Sequence, residues 1–135
     1  MKIFYGPKGS GKTKAIISYA NEVKATAKGH VVFITDSDKY GFELKQPIRF
    51  LNTSDFNVKT EEEFLGFIKG IVASNGDNEY VFIDGAARIC NKNLGEINAV
   101  FDTMAALEKD FGVKFGLTCS GTKEDLPDFI LKYVD

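Results

Sequence analysis

Eight residues near the amino terminus, Gly6-Pro7-Lys8-Gly9-Ser10-Gly11-Lys12-Thr13, fit the pattern G-x-x-x-x-G-K-[ST] without deviation. At ordinary residue usage a chance match in a chain of this size is on the order of 1%, and fewer such matches would fall between a strand and a helix. The residue types suit one task. A loop wrapped around a triphosphate must turn several backbone N–H groups inward, and glycine permits both the torsions and the close approach. A helix opening near Lys12 adds the positive end of its dipole. The Lys12 ammonium suits the β- and γ-phosphates, and the Thr13 hydroxyl suits Mg²⁺, a hard ion that prefers oxygen ligands. A second run, Tyr80-Val81-Phe82-Ile83-Asp84, is four apolar residues ending in an acid. Beside a phosphate loop, Asp84 is expected to hold Mg²⁺ through water. Many ATPases place a glutamate directly after that aspartate, whereas here the next residue is Gly85.

The elements that must position these groups can be read from the hydrophobic pattern. Apolar runs at residues 2–5, 30–35, 48–51, 80–83 and 113–119 read as buried strands. Between them, helical spacing is expected over 12–27 with Gly29 as its stop, from Thr60 onward, over 94–111 with Gly112 as its stop, and over 126–134. Thr60 followed by Glu63 is a capping-box signature, with Phe64, Phe67, Ile68 and Ile71 as the buried stripe. Strands alternating with helices predict a three-layer α/β/α sandwich on a mainly parallel sheet. Gly6 and Asp84 then both fall at carboxyl ends of strands, where open α/β sheets bind ligands.

The chain has 135 residues, and a single domain is expected over 1–135. Lys plus Arg is 17 and Asp plus Glu is 19, a formal net charge of −2. That balance does not indicate a nucleic-acid partner, which normally calls for a basic excess. Two cysteines, Cys90 and Cys119, are too few for a disulfide framework. With His30 as the only histidine, neither a zinc site nor a histidine-based triad is indicated. No run approaches the ~20 apolar residues of a membrane span, and no signal peptide is recognisable, so a cytoplasmic protein is expected.

The order of these motifs resembles the RecA-like branch of P-loop NTPases. That resemblance implies that the strand at 113–119 lies between the loop strand and the Asp84 strand. It also implies a water-positioning acid at the start of the helix preceding the Asp84 strand, where Glu62 is the first candidate and Glu61 the second. Acids are favoured there by the helix dipole as well. A polar residue just past the strand at 113–119 senses the γ-phosphate in that branch, which points to Ser120. Arg88, four residues after Asp84, can serve as an arginine finger supplied to a neighbouring copy, or be a surface cation.

Over nearly its full length the chain is similar to short bacterial P-loop proteins described as ATP-binding, often as twitching-motility (pilus-retraction) ATPase-like. The segments that carry the similarity are GPKGSGKT, GHVVFITDSDKY, IRFLNTSDF, the helix at 61–73, YVFIDG and LPDFILKYV. The resemblance implies binding of ATP with Mg²⁺. The expected site is Gly6 to Thr13 with Ser120 for the nucleotide, Thr13 and Asp84 for the metal, and Lys12, Glu62 and Arg88 for catalysis. Slow or partner-activated hydrolysis, with an unknown protein or a second copy as activator, is the first expectation. The alternative is a small-molecule or nucleoside kinase, although no arginine-rich lid segment is present. A structure with residues 80–83 directly beside residues 2–5 would favour the kinase/GTPase branch.

Overall fold

The computed structural model describes residues 1–45 and 47–134; Gln46 and Asp135, inside the single domain expected over 1–135, lie outside the described residues. Five strands, β1 (Lys2–Gly6), β2 (His30–Thr35), β3 (Arg49–Asn52), β4 (Asn78–Ile83) and β5 (Lys114–Ser120), form one sheet in the order β1-β5-β4-β2-β3. Every pairing is parallel. β5 therefore sits between β1 and β4, and residues 80–83 do not pair with residues 2–5.

Two apolar layers flank the sheet, separated by the alternation of strand side chains. Val31 and Phe33 join Ile16, Ile17 and Ala20 of α1 (Lys12–Lys24) on one face. Val32 and Ile34 turn to the other face. There they meet Phe64, Ile68 and Val72 of α2 (Glu61–Ser74) and Val100, Phe101 and Met104 of α4 (Asn98–Phe111). Burial on both faces is why these strands read as continuous apolar runs. The result is the expected three-layer α/β arrangement, with a sheet that is wholly parallel.

Several boundaries differ from the periodicity. The helix expected over 94–111 begins only at Asn98. Residues Leu94–Glu96 form a separate 3₁₀ turn closed by its own capping box between Asn93 and Glu96. A four-residue helix α3 (Ala86–Ile89) follows β4, too short to show a period. The helix expected over 126–134 reduces to α5 (Asp128–Leu131), because Pro127 sets its start, although Ile130 is fully buried and Phe129 packs 5.4 Å from the Phe101 ring. On α2, Phe67 and Ile71 are only partly buried, and Val72 completes the stripe instead. Gly29 is not the stop of α1, which ends at Lys24. A Cβ there would collide with the Asp77 carbonyl, so Gly29 permits the close approach of two turns.

The capping box forms as expected: Thr60 Oγ1 accepts from Glu63 N at 3.1 Å, and Glu63 Oε1 accepts from Thr60 N at 3.1 Å. Thr60→Ala should cost about 1 kcal/mol of unfolding free energy in urea titration, because it removes the acceptor for an otherwise unpaired helix donor. An unchanged midpoint would mean the box contributes nothing.

Candidate functional site

β1 ends at Gly6, buried beneath the loop that follows. A Cβ on Gly6 would meet the Ser10 hydroxyl, so glycine lets Ser10 fold back onto the end of β1. Ser10 N donates to Pro7 O at 3.1 Å, closing the first turn. Gly9 (φ 82°) and Gly11 (φ 93°) are both left-handed, the backbone state that L side chains resist. Pro7, Lys8, Gly9, Ser10 and Gly11 are all exposed. Gly11 is the N-cap of α1; no side chain caps it, and the first turn holds no acid. The amino end of a 13-residue helix thus faces outward with its dipole uncompensated. Lys12 arches back over the loop, its Nζ 3.3 Å from Pro7 O.

One helical position further, Thr13 Oγ1 donates to Asp84 Oδ2 at 3.2 Å. Thr118 Oγ1 donates to Asp84 Oδ1 at 2.7 Å. Each carboxylate oxygen of Asp84 therefore has its own hydroxyl, one from the loop helix and one from β5. The Asp84 carbonyl accepts from Thr35 Oγ1 at 3.1 Å, and Gly85 N donates to Thr118 Oγ1 at 3.0 Å. Asp84 is buried at 7% exposure, and these bonds offset the cost of desolvating its carboxylate. Thr35 and Thr118 were not among the expected site residues. Their signal was a threonine within or closing an otherwise apolar strand, which periodicity alone reads as tolerable core.

Ser120 is the last residue of β5, exposed and paired in register with Gly6. The next residue, Gly121, donates its N–H to Gly6 O at 2.8 Å. The strand end carrying Ser120 is thus fastened to the root of the loop.

Arg88 is not a loose surface cation: it is ion-paired within the chain. Its Nε and Nη2 donate to the two carboxylate oxygens of Asp36 at 2.7 and 2.8 Å. Those bonds hold the Asp36 carboxyl below its ordinary range and raise Arg88 above its own. Asp36 directly follows β2, the neighbour of β4, so the pair lies beside the Asp84 strand end. Gly85, at φ 87°, runs directly under the guanidinium, which occupies the space a Cβ would need. A glutamate at position 85 would be strained by that φ and would have to displace the guanidinium.

Glu62 stands apart: it is exposed, and among the described residues it makes no hydrogen bond or ion pair. Its neighbour Glu61 is buried and paired with Lys92 at 3.1 Å, turned toward the segment after α3. Neither acid touches the glycine loop. Cys90 and Cys119 are buried free thiols, and burial raises their pKa values to about 11 and about 12, which disfavours the thiolate. His30 is exposed at the start of β2. A cavity of about 500 Å³ is lined by Lys2, Tyr80, Lys114 and Tyr133 among others, and by no residue of the glycine loop.

Among the described residues, no group of three or more His, Cys, Asp or Glu side chains could hold a metal ion. Thr13 and Asp84 supply two oxygen donors, a set that suits a hard cation carrying most of its shell as water and phosphate. No helix of the described residues is long and apolar enough to cross a membrane. No protein-family model matches the chain, and no curated protein matches it.

Proposed function

We propose that this protein binds ATP with Mg²⁺ and turns it over slowly, as a nucleotide-dependent switch of the RecA-like kind. The observation that carries this is the link from Thr13 through Asp84 to Thr118, lying beneath a left-handed glycine loop at the carboxyl ends of parallel strands. In this reading the loop N–H groups and Lys12 take the phosphates, and Ser120 approaches the terminal one. Thr13 and Asp84 would hold Mg²⁺, which when bound neutralises charge on the β- and γ-phosphates. The position of β5 between β1 and β4 favours the RecA-like branch over the kinase alternative.

One purified preparation tests the reading: equilibrium binding of ATP and GTP with and without Mg²⁺, followed by phosphate release. No affinity for either nucleotide at millimolar concentration would end it. Asp84→Asn should reduce the gain in affinity that Mg²⁺ confers by about tenfold, because the amide loses the charge that holds hydrated metal. Metal-free binding should persist. If the variant keeps the full Mg²⁺ effect, Asp84 is not a metal residue.

A further inference from the structure

The Asp36–Arg88 pair lies beside the Asp84 strand end with both partners on the same chain. Arg88 is 59% exposed at its side chain and Asp36 26%, so water reaches and screens the pair. Its geometry is nonetheless committed: two parallel N–H···O bonds, the bidentate form a guanidinium makes equally well with a carboxylate or a phosphate. Arg88 sits on α3, immediately after Gly85 and Asp84, with its guanidinium folded back over the Gly85 backbone rather than extended into solvent. The φ of 87° at Gly85 and its missing side chain are what let the guanidinium lie there. Asp36 is itself fastened: Ser54 Oγ donates to its carbonyl at 2.8 Å, and Asn52 Nδ2 holds the nearby Asp38 at 3.1 Å. Asp36 therefore holds the guanidinium over Gly85, the residue next to the aspartate bonded to Thr13.

We propose that Asp36 is a built-in stand-in for the γ-phosphate and that Arg88 is the residue by which this chain distinguishes a nucleoside triphosphate from a diphosphate. The inference rests on the nucleotide reading above. When a γ-phosphate is present, Arg88 exchanges its carboxylate partner for the more highly charged phosphate in cis. With a diphosphate it stays on Asp36. The exchange also frees Asp36 and the strap after β2 from α3, so that the nucleotide state reaches a surface segment. No second copy is needed to deliver the arginine.

The two partners should act with opposite signs, which a merely structural ion pair would not do. Binding is measured by calorimetry with Mg²⁺ and either ADP or a non-hydrolysable ATP analogue. Arg88→Ala should weaken the analogue about tenfold and leave ADP within about twofold, since it removes only a charge-assisted contact to the third phosphate. Asp36→Asn keeps the shape but removes the competing charge, so it should tighten the analogue by about threefold and again leave ADP unmoved. Thermal unfolding checks that each variant is folded; if Arg88→Ala is not, the sign of the Asp36→Asn effect decides alone. Loss of affinity in both variants, or equal changes for ADP and the analogue, would overturn the proposal and leave the nucleotide reading standing. Failure of the wild-type protein to bind either nucleotide would remove both.

Discussion

Alanine in place of Lys12 should weaken ATP binding on the order of 100-fold, because it removes a charge-assisted contact worth ~1.5–3 kcal/mol together with part of the local positive field. The fold should not notice. Lys12 makes a single exposed hydrogen bond of its own, 3.3 Å to Pro7 O, and sits in the first turn of a helix whose apolar face begins at Ile16. Unfolding midpoints of variant and wild type should therefore agree while their affinities diverge. Equal affinities would mean that the glycine loop is only a tight strand-to-helix turn.

Phosphate release by the isolated domain should be slow, on the order of 10⁻³ s⁻¹ or below, the range of P-loop sites that lack a complete set of catalytic groups. Hydrolysis needs a positioned water with a base or orienting group, and a cation on the developing charge. The first is not assembled: Gly85 supplies no acid, and Glu62 is exposed without a partner among the described residues. The second is contested, since Arg88 starts on Asp36. The other arginine, Arg49, opens β3 at the amino end, away from the carboxyl ends where Asp84 lies. A cation delivered by a neighbouring molecule or partner would be worth ~10³–10⁵ in rate, far more than any residue of the lone domain. Steady-state phosphate release measured over a protein concentration series separates these cases. A rise with concentration would identify a second copy as activator. Fast turnover that is independent of concentration and unaffected by Glu62→Gln would refute both the slow-site argument and any role for Glu62.

The missing acid after Asp84 has a physical counterpart in the fold. From the sequence, Gly85 is an acid that is missing. In the folded chain it is a left-handed residue with a guanidinium packed where its side chain would be. Gly85→Glu would therefore not restore a base; it would force backbone strain and displace Arg88 from Asp36.

What the sequence determined by itself is local and periodic. The glycine loop, the Asp84 strand end, the Thr60–Glu63 box and the Gly112 stop each depend on residues within a few positions of one another, and each forms where its pattern lies. The alternation of apolar runs with helical stripes was enough for a three-layer parallel sheet, because strands buried on both faces leave no other reading. Short elements were the ones misread: α3 escaped, and α5 is shorter than the helix expected over 126–134, each having four residues, less than the two turns needed to display a period. The tertiary structure decided which distant residues share the site. Thr118 lies 34 positions from Asp84, and Arg88 lies 52 from Asp36, yet all four meet because parallel strand order β5-β4-β2 stacks their carboxyl ends side by side. A threonine in an apolar strand or an aspartate after one carries no sign of its partner in the sequence. Only the register of neighbouring strands turns Thr118 inward to Asp84, and only the turn at Gly85 brings Arg88 back to Asp36.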